Sequence, residues 1–297
     1  MKLNKGYTLI HEHIEIDLSK VKNDQDTCYD SVEEVVKEMK ILKNLGVGNI
    51  LEVTNIGMGR SLTTVKKVED ETGIKILMST GFYKEPFLPE YVCDKTIEEL
   101  AEIMINECMQ GIDGTDRKAV CIGEIGTSKD MMKPMERKVF DAAILAAKKC
   151  SAVISTHTSL GTCAAEQASY LISNGILPSR IIIGHMDLTQ DLARIKEVLD
   201  LGVNIGFDTI GKNNYFPDEK RVEFLLDLEK EGYLNQVMLS MDLTRKSHLK
   251  CNGGLGYAYL IEEFLPMLRL KGMKEDSINQ MLVKNPIRLF SQVEEEV

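Results

Sequence analysis

Two histidines separated by one residue, His11 and His13, follow the short apolar run Thr8-Leu9-Ile10. Side chains at i and i+2 of a strand project to the same face, so both imidazoles can reach one metal ion. Such a pair also occurs by chance on surface loops, and its meaning here comes from the residues that accompany it. Glu124, His157, His185 and Asp242 stand at the C-terminal ends of later apolar runs. The chain has only five histidines, and four of them occupy such positions. A mixed set of imidazoles and carboxylates suits zinc, and also manganese, cobalt or nickel. Four histidines and two carboxylates are more than one tetrahedral zinc takes, whereas a pair of divalent cations about 3.5–4 Å apart would use them all. The fifth histidine, His248, reads equally as a substrate contact or as a solvated loop residue.

These residues can act together only if the fold brings them to one place. Near-continuous apolar runs predict strands at about 7–11, 48–53, 75–80, 119–124, 152–157, 180–185, 203–207 and 237–242. Ile181-Ile182-Ile183 and Val237-Met238-Leu239 have the character of parallel strands buried on both faces. Helical spacing falls between them. Val35, Val36, Met39 and Leu42 predict a helix over 31–45 that stops near Gly46, with Ser31 and Glu34 as a capping box. Thr96 opens a second helix, and Pro134 suits the first turn of one that runs to Cys150. Others fit 162–175, 189–200, 218–231 and 256–271, and a last spans 275–290, bent or interrupted at Asn285-Pro286. This alternation predicts the α/β class and a (β/α)8 TIM barrel, one domain over 1–297, with a doubly wound sheet as the alternative. In such a barrel the active site lies at the C-terminal ends of the strands, where all six candidate ligands fall.

At 297 residues the chain can bury a core that needs no cross-links. Its seven cysteines (Cys28, Cys93, Cys108, Cys121, Cys150, Cys163 and Cys251) are scattered and show no Cys-x-x-Cys spacing, so neither a disulfide framework nor a zinc finger is expected. A net charge of −10 argues against bulk electrostatic binding of nucleic acid. No run of about 18 apolar residues predicts a membrane span, and the N-terminus lacks an export pattern. A cytoplasmic protein is the expectation, and a homodimer is left open.

The ordered set His11-x-His13, Glu124, His157, His185 and Asp242 resembles that of the phosphotriesterase family within the amidohydrolase superfamily. The stretches 6–13, 123–128, 155–159, 184–188, 207–212 and 239–245 carry the resemblance across most of the chain. It implies that His11, His13 and Asp242 bind the more buried of two metal ions, that His157 and His185 bind the more exposed one, and that Glu124 bridges both. Many members use a carboxylated lysine as the bridge; Glu124 is shorter and needs no carbon dioxide.

The expected chemistry is hydrolysis by a metal-bridging hydroxide, with Asp242 taking the proton and returning it to the leaving group. No Gly-x-Ser-x-Gly elbow points to a serine hydrolase. Lys212, Arg245, Lys246, His248 and Lys250 follow the last two strands, and Tyr83 and Lys84 follow the third. Tyr83, Lys212, Arg245 and His248 are the candidate substrate contacts. A cationic cluster there would favour a small anionic substrate, an ester or a lactone, including a phosphorylated sugar lactone, with weak phosphotriesterase activity alongside. Two other readings remain: a TatD-like metal-dependent nuclease, and a non-catalytic metabolite-binding barrel.

Overall fold

In the computed structural model, which describes residues 2–291, eight parallel strands form one sheet in chain order. They are β1 (Tyr7–Glu12), β2 (Val47–Glu52), β3 (Lys75–Thr80), β4 (Ala119–Thr127), β5 (Val153–Thr158), β6 (Ile181–Ile183), β7 (Asn204–Phe207) and β8 (Val237–Leu239). Each pairs in parallel with the next, and the sheet curls into a nearly closed barrel. The predicted TIM barrel and its strand positions hold. Met1 and residues 292–297 of the predicted domain lie outside the described residues.

The seam between β8 and β1 is closed largely by one side chain. Glu12 Oε1 accepts hydrogen bonds from the Met241 amide and the Ser240 hydroxyl, each at 2.8 Å, while the His11 amide donates to Ser240 Oγ at 3.0 Å. The Asp242 amide donates to the His11 carbonyl at 3.3 Å. Glu12 is wholly buried, and that burial raises its carboxyl pKa to about 7.

Apolar residues from seven strands meet one another, among them Ile10, Leu51, Leu77, Cys121, Val153, Ile182 and Met238, and they can do so only inside the barrel. Leu289 and Phe290 of the last helix (Asn285–Ser291) join this cluster and plug the end away from the site. The opposite faces of the strands carry the larger core beneath the helices α1 (Val32–Asn44), α2 (Leu62–Thr72), α3 (Ile97–Met109), α4 (Pro134–Cys150), α5 (Ala164–Ser173), α6 (Leu192–Asp200) and α7 (Asp218–Glu231).

Local chemistry explains where this differs from expectation. The capping box expected at Ser31 does not form, and Glu34 instead pairs with Lys37 at 3.0 Å. Thr96 and Glu99 do make one, with Thr96 Oγ1 accepting from the Glu99 amide at 3.2 Å and Glu99 Oε2 accepting from the Thr96 amide at 2.7 Å. Helix α2 was not picked out from the sequence, because Leu62, Val65 and Val68 are its only strongly apolar positions. The cap at Ser61, whose hydroxyl accepts from the Thr64 amide, was its legible signal. The segment expected to be bent or interrupted at Asn285-Pro286 runs on through the proline after widening into a π-helical turn at Gln280–Lys284. That turn accommodates a residue with no amide hydrogen. A two-stranded ribbon, Ile16–Asp17 against Cys28–Tyr29, lies in the loop after β1 and was also unforeseen. No helix among the described residues is long and apolar enough to cross a membrane.

Candidate metal centre

The barrel mouth gathers all six candidate ligands. Glu124, near the end of β4, lies between two pairs of histidines. Its Oε1 is 3.7 Å from His13 Nε2, and its Oε2 is 3.5 Å from His11 Nε2, 3.1 Å from His157 Nδ1 and 3.7 Å from His185 Nε2. Asp242 Oδ1 is 3.2 Å from His13 Nε2 and 3.7 Å from His11 Nε2. The nitrogens His185 Nε2 and His157 Nδ1 face each other at 2.8 Å. His11 and His13 have fully buried side chains, whereas the side chain of His157 is 15% exposed.

The backbone makes these directions possible. Pairing irregularities fall between Leu9 and Glu12 and between Ile122 and Ile125, where ligand side chains leave the regular pleat. His185 and Asp242 adopt left-handed conformations, with φ of 57° and 50°, and turn sharply just past β6 and β8.

These residues fit a divalent metal. Both ring nitrogens of His11 and the Nε2 of His13 are buried without a hydrogen-bond partner, a costly arrangement for polar atoms unless something else engages them. The triads His11-His13-Glu124 and Glu124-His157-His185 each bring three donor atoms within 4.8 Å of one another. The charges are mutually arranged as well. Burial would raise the Glu124 carboxyl, but His11, His157 and His185 outweigh it and hold the group well below the usual carboxylate range. At Asp242, burial is likewise overcome by the Lys212 ammonium and the neighbouring His13 ring. Burial, and then the charge of His185, depresses His157 to about 4.

Second contacts orient the rings. His13 Nδ1 lies 2.8 Å from Thr54 Oγ1. Asp208, one residue past β7 and fully buried, accepts from both the amide and Nδ1 of His185 at 2.8 Å, and its other oxygen is 3.4 Å from His11 Nδ1. With a proton held on His185 Nδ1 by Asp208, the Nε2 lone pair of His185 points at the cluster, and the carboxylate beside His11 Nδ1 favours the same tautomer there. Asp208 escaped the sequence reading, although it ends an apolar run as the other site residues do.

A cavity of about 360 Å³ opens over the cluster. Tyr83 lines it, its hydroxyl 3.1 and 3.2 Å from the two ring nitrogens of His157. Lys212 also lines it and is ion-paired with Asp242 Oδ2. His248 borders a separate, smaller hollow of about 150 Å³ on the far side of Lys212. Arg245 lines neither; its guanidinium pairs with Asp24 at 2.7 Å and Asp26 at 3.3 Å. The structure thus sets Arg245 as a tie between the loops after β8 and β1 instead of a group facing the cavity. Lys22, which the sequence reading passed over, does line the cavity, as does Lys84.

Comparison with known proteins agrees with this geometry. The sequence model described as the phosphotriesterase family matches residues 2–290. The chain is 48% identical over 285 residues to the phosphotriesterase homology protein of Escherichia coli strain K12, covering 96% of this chain and 98% of the relative. A crystal structure of that E. coli protein, complexed with phosphate in the active site, superposes with a TM-score of 0.94 over 96% of this chain and 98% of its own. An aryldialkylphosphatase of Saccharolobus solfataricus is 32% identical over 303 residues, 96% of this chain and 95% of the relative. A lactonase structure from Listeria monocytogenes superposes with a TM-score of 0.91 at 30% identity, covering 96% and 94% of the two chains. Fold, candidate ligand cluster and sequence agree: the chain belongs to the phosphotriesterase family, a family of metal-dependent hydrolases.

Proposed function

We propose that this hydrolase takes two divalent cations, zinc or else manganese, cobalt or nickel, and opens the ester or lactone bond of a small anionic molecule. The observation that carries the reading is the placement of Glu124, whose two oxygens address the His11-His13 pair and the His157-His185 pair together. One carboxylate shared between two imidazole pairs is what a two-ion site requires. Cations bound there would acidify water and polarise a carbonyl or phosphoryl oxygen.

The chain's own residues would do the rest. Asp242 is held ionised and stands at the mouth, so it can accept the proton of the attacking water and pass it to the leaving group. Lys212 binds the second Asp242 oxygen and keeps the first turned toward His13. Tyr83, beside His157, is placed to donate to a substrate oxygen. The phosphate reported in the E. coli relative and the lactonase activity named for the Listeria relative both favour an anionic ester or lactone here. Similarity to the aryldialkylphosphatase supports weak phosphotriester turnover as a side activity.

The test is a panel of sugar lactones, phosphorylated lactones, carboxyl esters and phosphotriesters, followed by proton release with zinc- or manganese-loaded protein. Turnover concentrated in one ester or lactone class, with metal content near two per chain, is expected. Turnover confined to phosphotriesters, or one metal per chain at full activity, would reject the proposal.

A further inference from the structure

The cavity is lined by three lysines, and they differ in what they already hold. Lys212 is committed to Asp242, and Lys84 donates to the Glu85 carbonyl at 3.2 Å. The Lys22 ammonium has neither a hydrogen-bond nor an ion-pair partner among the described residues. Its only neighbour of note is the Phe87 ring, whose centroid lies 5.9 Å from Nζ. The Lys22 ammonium therefore lines the cavity beside the reaction centre with no direct ion-pair partner, next to the apolar surface of Leu18, Met58 and Phe87.

Its position is built. Lys22 ends the short helix Ser19–Lys22, followed by Asn23 in a left-handed conformation with φ of 50°. The Leu18 amide donates to the Thr27 carbonyl at 2.9 Å, and the Asp17 amide to the Met58 carbonyl at 2.8 Å. Asp24 and Asp26, just beyond Lys22, are fastened to the loop after β8 by Arg245, and Asp26 also accepts from the Ser247 amide at 2.7 Å and its hydroxyl at 2.6 Å. Arg245 engages Asp24 and Asp26, the acids just beyond Lys22 in sequence, and neither pairs with the lysine. Burial, and then the charges of Arg245 and Lys212, lower the Lys22 ammonium from its ordinary value against the opposite pull of Asp242 and Glu124, and an anion bound beside it would offset that burial.

The geometry points to Lys22 as the specificity-determining residue that binds the non-reacting anionic end of the substrate. This rests on the hydrolase reading above and deepens it. The substrate would be an ester or lactone with a carboxylate, sulfonate or phosphate at one end, and with an apolar stretch against Leu18 and Phe87 between that end and the scissile bond. The anion is then read mainly from the loop after β1, with Arg245 as a positioning residue for that loop.

Monomethyl and dimethyl succinate form a matched pair of probes, with the same reacting ester and one charge of difference. In metal-loaded protein, Lys22→Met should raise KM for monomethyl succinate about 10- to 100-fold, as loss of a charge-assisted contact would, with kcat within about twofold and dimethyl succinate unaffected. Lys22→Arg should restore most of the loss. Independently of turnover, acylation of Lys22 by acetic anhydride, followed by mass spectrometry, should be slowed at least fivefold by monomethyl succinate and not by dimethyl succinate. Protection without turnover of either probe would sustain the anion subsite and count against the hydrolase reading. Equal effects of Lys22→Met on both probes, or equal protection by both, would overturn the inference.

Discussion

Asp208 offers the sharpest test of how the centre is organised, because it does not line the cavity and yet hydrogen-bonds one candidate ligand and stands beside a second. Its carboxylate accepts from His185 Nδ1 and the His185 amide at 2.8 Å and sits 3.4 Å from His11 Nδ1, with no solvent exposure. Replacing it by asparagine keeps the volume and one acceptor oxygen but turns an amide NH2 toward one imidazole. That amide can be satisfied only if the ring gives up its Nδ1 proton, which then moves to Nε2 and blocks the lone pair aimed at the cluster. Loss of such an outer contact costs about 10- to 100-fold in metal affinity, which corresponds to about 1.4–2.8 kcal/mol. Gly206→Ala should act in the same direction, since a Cβ there would stand 2.3 Å from Asp208 Oδ2. Metal affinity of Asp208→Asn, measured by competition with a chromophoric chelator, should fall by this factor while far-ultraviolet circular dichroism stays native. Affinity within twofold of the wild type would refute the tautomer role of Asp208.

Other consequences can be checked more briefly. Glu12→Ala removes the acceptor for the Met241 amide and the Ser240 hydroxyl at the β8–β1 seam, and should cost about 2–4 kcal/mol in urea unfolding; a loss under about 0.5 kcal/mol would show that the seam closes without it. Burial and then the Lys212 charge depress His248 to about 4, and the Thr244 amide donates to its Nδ1 at 3.3 Å. Because the folded pKa lies below that of the unfolded chain, unfolded protein takes up this proton first as pH falls, and stability is lost between about pH 6.5 and 4. After discounting for partial exposure, His248→Gln should reduce the acid loss by about 1–2 kcal/mol between pH 7.5 and 4.5; an unchanged pH slope would contradict this. Stripping metal with a chelator should lower the thermal midpoint by several degrees, since a ligand at about 1,000 times its Kd stabilises by about 4 kcal/mol, and an unmoved midpoint would count against a folded-state metal site.

The parts of this protein that were legible in its sequence are those with a local signature. Apolar runs such as Ile181-Ile182-Ile183 mark buried parallel strands by composition alone, and rare histidines at their ends mark the mouth. Asp208 lacked that rarity, being one of 46 acidic residues, and its role depends on His185 and His11 arriving from two other strands. Arg245 illustrates the same limit from the other side. Its place in a basic stretch suggested a substrate contact, but its partners Asp24 and Asp26 lie more than 200 residues earlier, and no spacing rule reveals such a pair. Lys22 was overlooked for the converse reason, because nothing in its neighbourhood shows that its ammonium would face the cavity without an ion-pair partner. Helix α2 was missed because Leu62, Val65 and Val68 are its only strongly apolar positions and its β-branched threonines and valines are weak helix formers.

The most direct test of the central claim is a metal titration of the metal-free protein, with hydrolysis of the preferred ester or lactone followed by proton release, alongside Asp242→Asn. A two-ion hydrolase predicts activity that rises until two equivalents of zinc or manganese are bound and that falls by at least 100-fold in the variant with both ions retained. Activity complete at one equivalent, or undiminished in Asp242→Asn, would contradict it.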